Sequence, residues 1–339
     1  MYTAIDLFSG CGGLSQGLKD AGFKILGAIE IDRKAIETFS LNHPEVPVLG
    51  GDIREVKVSS LLEALKLGVG ELDLLAGCPP CQGFSSIRRR NKKEAAPDGR
   101  NDLIDEFSRL ALGLMPKLIM MENVPGLANY GKFLAFTESL KCAGYDVVYK
   151  ILDVSEFGVP QRRKRLILSA NRIGKSKLAI PQREKISVRV AIGGLTKVGE
   201  SGDAIHDHSG AKHSDGVKAL IAAIPKDGGS RASLPDEMQL ECHKRNPGFN
   251  DVYGRMKWDS VSPTITGGCT NPSKGRFLHP EHNRSITLRE AAILQGFPLT
   301  YKFNFSHGKQ AISLMIGNAL PPPFITAHAK VMAESLFDG

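Results

Sequence analysis

The sequence predicts an α/β protein, a doubly wound and mostly parallel sheet joined to a second, smaller domain of loops and short strands. Three observations predict it. Short apolar runs alternate with helical periodicity from Thr3 to Ser169, the pattern of successive βα units. The first run passes through a glycine-dense turn, Ser9-Gly10-Cys11-Gly12-Gly13, into a helix; such a turn lets a ligand approach the backbone beside the positive end of the helix dipole. Beyond Asn171 the alternation fades into Gly, Ser, Pro and His with short apolar pieces, as expected of a separate unit. The first domain is therefore placed at 1-173, completed by 309-339, and the small one at 174-308.

Taken in order, Thr3 to Phe8 reads as a buried strand and Leu14 to Ala21 as the helix behind the glycine turn. Lys24 to Ile29 is a second strand ending at Glu30, where an open α/β sheet places an acid to accept ribose hydroxyls. A third element ends at Gly51-Asp52-Ile53, suited to an adenine edge. Leu72 to Ala76 is the fourth strand and runs into Gly77-Cys78-Pro79-Pro80-Cys81-Gln82. Ser86 to Lys93 crowds Arg88, Arg89, Arg90, Lys92 and Lys93 into a segment that reads as a long loop, its charge suited to phosphates or simply to solvent.

Asp102 to Leu114 has one apolar helical face, closed by Pro116. Leu118 to Met121 is a fifth strand ending in Glu122-Asn123-Val124. A helix from Phe133 to Ala143, a strand from Asp146 to Leu152 and a strand from Leu166 to Ser169 follow, the last two separated by Gln161-Arg162-Arg163-Lys164-Arg165. Thr287 to Leu294 reads as a helix with Arg289 and Glu290 exposed, and Ile316 to Pro321 as the opening of a terminal helix through Ser335. His206, His208 and His213 lack a companion thiol or carboxylate at ligand spacing, so no metal site is expected.

Composition narrows the class. With 42% hydrophobic and 24% charged residues the chain is an ordinary globular one, and it has neither a run of about 20 apolar residues nor a signal-peptide pattern. A cytoplasmic, non-membrane protein is expected. Six cysteines in 339 residues are too sparse for a disulfide scaffold, which makes a conspicuous thiol catalytic or metal-binding. The net charge of +8 favours a polyanionic partner.

Cys81 is the conspicuous thiol. It follows two prolines at a strand end, before a helical start and close to arginines, surroundings that favour the nucleophilic thiolate. A Cys-Pro-Pro-Cys pair could also be a redox couple or half a zinc site, but the pair follows a fourth strand, not the first strand of a thioredoxin-like unit, and no second pair completes a tetrahedron. Cys78 reads as a small packing residue.

Taken together, Asp6-Leu7-Phe8-Ser9-Gly10-Cys11-Gly12-Gly13, Pro79-Pro80-Cys81-Gln82, Glu122-Asn123-Val124, Gln161 to Arg165, Arg289-Glu290 with Gln295-Gly296-Phe297-Pro298, and Gly317-Asn318-Ala319 resemble the ordered motifs of the DNA (cytosine-5)-methyltransferases, bacterial or phage type. The resemblance covers almost the whole chain except about Gly174 to Val261. It implies a Rossmann-like S-adenosylmethionine-dependent sheet with a target-recognition domain, and methyl transfer to C5 of a flipped-out cytosine in a specific duplex sequence, leaving S-adenosylhomocysteine. By resemblance Cys81 adds to C6, Glu122 serves N3, Arg163 contacts the cytosine carbonyl, and Arg165 and Gln161 hold the site together. The donor pocket carries over as Phe8, Gly10, Gly12, Gly13, Glu30, Ile31, Asp52, Ile53, Pro80, Leu103 and Asn318. Ser85, Arg88, Arg89 and Arg90 are expected on DNA behind the flipped base. Thr264, Thr266 and Gly267 are candidates for a DNA-facing loop, or for a tight structural turn.

The rival readings are an RNA (tRNA) cytosine methyltransferase on the same motifs, against which the long small domain and the missing Cys-Phe-Thr signature count, and a catalytically silent DNA-binding relative, against which the Cys81, Glu122 and Arg163 set counts. The expected setting is a monomer in the bacterial cytoplasm, with a cognate restriction endonuclease acting separately.

Overall fold

The computed structural model describes residues 1–80, 103–181, 184–208, 213–239 and 251–336. The chain forms two compact units: Met1–Phe157 with Lys164–Gln182 and Leu320–Gly339, and Gly158–Arg163 with Arg183–Ala319.

The first unit is built on a seven-stranded sheet: β1 (Thr3–Leu7), β2 (Lys24–Ile29), β3 (Val48–Gly50), β4 (Leu74–Gly77), β5 (Leu118–Asn123), β6 (Asp146–Asp153) and β7 (Lys164–Asn171), in the order β3-β2-β1-β4-β5-β7-β6. β1 to β5 run parallel, and β7 runs antiparallel to both β5 and β6. The chain steps outward from β1 to β3 and then returns to β4 on the other side of β1. That reversal creates a crevice at the carboxyl ends of β1 and β4, where open α/β sheets bind ligands. β4 and β5 are buried along their whole lengths, which explains their unbroken apolar reading up to the functional residues at their ends.

Helices α1 (Gly13–Asp20), α2 (Arg33–Asn42), α3 (Val58–Leu65), α4 (Leu103–Leu114) and α5 (Gly131–Cys142) cover this sheet. Phe107, Leu110 and Leu114 of α4 and Phe133, Phe136 and Leu140 of α5 pack with Leu75, Ile119, Met121 and Leu168 in one core. α2 is capped by Asp32, whose carboxylate accepts from the amides of Lys34 and Ala35. The carboxy-terminal helix Pro322–Glu334 lies against α1.

In the second unit the described residues form short helices and three isolated bridges, without a named strand; the short strands expected from its turn-rich texture are not there. Arginine replaces the ladder. Arg255 is fully buried and donates to the carbonyls of Ile221, Ile224, His279 and His282 and to Asn283 Oδ1. Arg276 takes the carbonyls of Gly228, Gly229 and Arg255. Main-chain acceptors that a sheet would satisfy are thus satisfied by guanidinium forks.

Two expectations are corrected here. The single terminal helix is two, Lys309–Asn318 and Pro322–Glu334; Ile316 to Asn318 closes the first, and Pro322, without an N–H, sits at the first turn of the second. Arg289 and Glu290 are buried, not exposed. Glu290 completes a capping box with Thr287 and pairs with Arg284 at 2.7 Å, while Arg289 reaches Asp203 Oδ2 at 2.6 Å and the Tyr301 carbonyl at 2.8 Å.

Candidate active site

The turn after β1 is strained and tied down. Phe8 has φ 61, Gly10 φ 55 and Gly12 φ 97. A left-handed conformation is uncommon for a bulky side chain and costs about 1–3 kcal/mol, a strain that gathers at ligand clamps. The amide of Gly10 donates to Glu30 Oε2 at 2.7 Å, and those of Ile31 and Asp32 donate to Oε1 at 2.9 and 2.8 Å. Glu30 at the end of β2 therefore anchors the glycine turn, and with about four lone-pair positions on a carboxylate it keeps acceptor capacity for a hydroxyl.

Gly13 opens α1, Ile53 is buried, and the side chain of Ile31 is 64% exposed beside Glu30. Asp52 is forked by Arg54, whose Nε lies 2.9 and 3.0 Å from its oxygens, and this contact holds the Asp52 carboxyl down at about 2. Pro80 follows β4 by three residues, and Leu103 opens α4. All these residues belong to the first unit; Asn318 ends a helix of the second.

Two buried groups underlie the turn. Asp6 is fully buried and accepts from Ser15 Oγ at 2.6 Å; burial pushes its carboxyl up to about 8 against the lowering effect of that bond, with the Glu30 charge adding to the rise. His43 Nε2 lies 3.3 Å from the Gly12 carbonyl and Nδ1 3.4 Å from Lys19 Nζ. Burial, then the Lys19 charge, lowers its pKa to about 4, so the ring is neutral. With the ammonium donating to Nδ1, the ring proton belongs on Nε2 and is donated to Gly12. Cys11 in the turn is fully buried and its thiol pushed up to about 12, first by burial, so it is chemically inert.

The second cluster stands at the ends of β4, β5 and β7. Register pairs Gly77 with Met121, which sets the next residues, Cys78 and Glu122, abreast. The Cys78 thiol donates to Glu122 Oε2 at 3.1 Å. Glu122 faces Ile167 across β5 and β7, so Arg165, two residues away, lies on the same face; its Nε pairs with Glu122 Oε1 at 2.8 Å. Asn123 Nδ2 donates to the Pro79 carbonyl at 2.8 Å, and Asn123 Oδ1 accepts from the Val124 amide. Glu122 and Asn123 are each 3% exposed. The end of β5 thus fixes the chain just before Cys81.

Gln161, Arg163, Thr264, Thr266 and Gly267 lie in the second unit. Gln161 is fully buried, donating to Gln295 Oε1 at 2.7 Å and the Leu294 carbonyl and accepting from the Ile265 amide. Arg163 is buried with Nη1 on the carbonyls of Ile265 and Gly317 and Nη2 on that of Gly317. Arg163 thus braces the loop carbonyls, and Arg165 is the arginine beside the buried carboxyl of Glu122. Thr264 Oγ1 donates to the Arg162 carbonyl. A Cβ on Gly317 would meet the Thr266 carbonyl carbon and the Gly267 nitrogen at 2.2 Å, so only glycine allows this loop to cross the helix there. These ties brace the loop against the Lys309–Asn318 helix. Cys81, Ser85, Arg88, Arg89 and Arg90 lie outside the described residues.

Among the described residues no group of three metal-binding side chains comes together; His206, fully enclosed, is held by Thr287 Oγ1 and the Thr196 carbonyl. Nor is any described helix long and apolar enough to cross a membrane.

A mostly parallel sheet with a β1/β4 switch point, a glycine turn anchored by a strand-end glutamate, and Cys78 of the segment leading to Cys81 against a buried glutamate define a group-transfer enzyme of the S-adenosylmethionine-dependent methyltransferase class. The sequence profile of the C-5 cytosine-specific DNA methylases matches residues 2–334, and the chain belongs to that family. It is 36% identical over 348 residues to the Type II methylase M.HgiDII of Herpetosiphon aurantiacus, covering 98% of this chain and 94% of that one. It is 34% identical to the Type II methyltransferase M1.HphI of Haemophilus parahaemolyticus, over 98% of this chain and 87% of the other. Among solved structures, an Escherichia coli prophage protein described as a DNA modification methyltransferase superposes with a TM-score of 0.77 at 25% identity, over 99% of this chain and 100% of that one.

Asn123, which the motifs leave without a role, and Cys78, which reads as a packing residue, join Glu122 in this cluster. Their signal was present in the position of both, one at the end of each of two adjacent buried strands.

Proposed function

We propose that the chain methylates C5 of a cytosine flipped out of a specific duplex DNA sequence, with Cys81 as covalent nucleophile. The observation that carries the reading is Glu122, a buried carboxyl held on both oxygens beside the segment that leads to Cys81. The first unit is the catalytic and donor-binding domain and the second reads the target.

When bound, S-adenosylmethionine supplies an electrophilic methyl group. Glu30 holds the ribose hydroxyls, the strained turn from Phe8 to Gly13 approaches the donor with main-chain amides, and Ile31, Asp52 and Ile53 border the adenine. Leu103, at the start of α4, borders the same pocket. Cys81 forms a bond from sulfur to cytosine C6 and makes C5 nucleophilic. Glu122 gives a proton or a hydrogen bond to N3 as charge develops on the ring, and Arg165, already paired with Glu122, serves the cytosine carbonyl, while Arg163 and Gln161 hold the supporting loop. Loss of the C5 proton to water then expels the Cys81 sulfur and restores the ring. Ser85 and Arg88 to Arg90 contact phosphates behind the extruded base. The enzyme works as a monomer in a bacterial or phage-infected cytoplasm, with a cognate restriction endonuclease acting separately.

The test is a covalent complex with duplex DNA carrying 5-fluorocytosine, in which fluorine blocks the elimination. It should form with the wild-type chain and donor and be lost in Cys81→Ala. Transfer of label from S-adenosylmethionine to tRNA but not to DNA would overturn the DNA assignment.

A further inference from the structure

We propose that Cys78 is a positioning residue for Glu122, its thiol fixing one edge of the carboxyl while Arg165 fixes the other. The inference rests on the catalytic reading of Glu122 just given. Three observations carry it. The Sγ to Oε2 distance is 3.1 Å, short for a thiol donor, and it is made to a group only 3% exposed, where apolar packing would leave the oxygen unsatisfied. Arg165 Nε pairs with the other oxygen, Oε1, at 2.8 Å; contacts on different oxygens define the plane of the carboxyl. The placement is also built into the sheet, since the β4 to β5 register puts residue 78 abreast of residue 122.

A thiol suits the position for a chemical reason. A carboxyl that serves N3 of a base passes between its ionised and protonated forms. A thiol donates weakly to the first and accepts weakly from the second, so the contact survives both without locking either. A second cation at this place would favour the ionised form alone. A methyl group would hold neither.

The experiment uses the purified full chain and compares Cys78→Ala, Cys78→Val and Cys78→Ser with wild type and Glu122→Gln. Methyl transfer to duplex DNA and calorimetric binding of S-adenosylmethionine are both measured. Ala and Val should lower kcat about tenfold, the scale of one hydrogen bond to an ionisable group, with donor affinity unchanged within about twofold. Ser, which keeps a donor and an acceptor in nearly the same place, should recover kcat to within about threefold of wild type. Wild-type kcat in Cys78→Ala, or equal losses in Ser and Ala with donor binding intact, would overturn the proposal. Wild-type kcat in Glu122→Gln would overturn the reading beneath it, and Cys78 would fall with it.

Discussion

Asn123 Nδ2 donates to the carbonyl oxygen of Pro79 at 2.8 Å, tying the end of β5 to the segment that delivers Cys81. Pro79 and Pro80 supply no N–H, so this bond is made through an acceptor, and a donor side chain on the adjacent strand is what the geometry requires. In Asn123→Ala the Pro79 carbonyl loses its partner, at a cost of about 1–3 kcal/mol. Asn123→Asp places an acceptor against an acceptor. The expected order of kcat is wild type, then Ala, then Asp, with the Asp variant also lowest in melting temperature. Paired activity and thermal-denaturation measurements check it; an Asp variant as active as wild type would contradict it.

Glu30 sits between two functions, receiving three main-chain amides and, by our reading, the donor's ribose. In Glu30→Gln one oxygen becomes an NH2 group, which faces either the Gly10 amide or the amides of Ile31 and Asp32. A donor opposed to a donor at this half-buried position costs about 1 kcal/mol or more. Affinity for S-adenosylmethionine should fall at least about tenfold by titration calorimetry. The single-turnover rate at saturating donor should change little. A variant that binds the donor like wild type would remove Glu30 from the pocket.

Arg163 and Arg165, within the Gln161 to Arg165 run, should separate cleanly. Arg163 reaches two carbonyls with a planar fork that lysine does not reproduce. Arg163→Lys should therefore lose about 2 kcal/mol and several degrees of melting temperature. Arg165→Lys keeps a cation beside Glu122 and should leave the melting temperature within about 2 °C while lowering kcat. The reverse pattern would return the catalytic role to Arg163.

The residues that could be read from the sequence are those whose chemistry is local. The glycine turn, the acids at strand ends and the burial of β4 and β5 follow from residue type and period. The hydrogen bonds of Cys78 and Asn123 are not legible in the sequence because their partners lie 44 residues away, a distance closed by strand register, which no periodicity reports. The second unit is hard to read for another reason. Gly and Pro density signals turns, and it does not say whether ladder bonds or buried arginines satisfy the main chain between them. Arg289 reads from sequence as a surface charge, as most arginines are; only Asp203 and the enclosed Tyr301 carbonyl explain its burial.

Asp6 provides a test in which pH alone is varied. Its carboxyl is raised to about 8 by burial, with Ser15 opposing and Glu30 adding, against an ordinary value near 3.8. Between about 4 and 8 the folded chain therefore holds a proton that the unfolded chain has released. Stability contributed by that group falls as pH rises through this window and levels off above 8. Asn does not titrate, and it places an NH2 where the protonated acid places its O–H, with Ser15 Oγ still donating to the remaining oxygen. Asp6→Asn should therefore gain on wild type as pH rises from 5 to 8.5, by roughly several degrees of melting temperature. The buried histidines slope the other way: burial lowers His43 and His328 to about 4, so their contribution is lost as pH falls from about 6.5 toward 4. They are common to both proteins and cancel in the difference. Parallel melting curves for the two proteins across this range would mean that Asp6 is ionised in the folded chain.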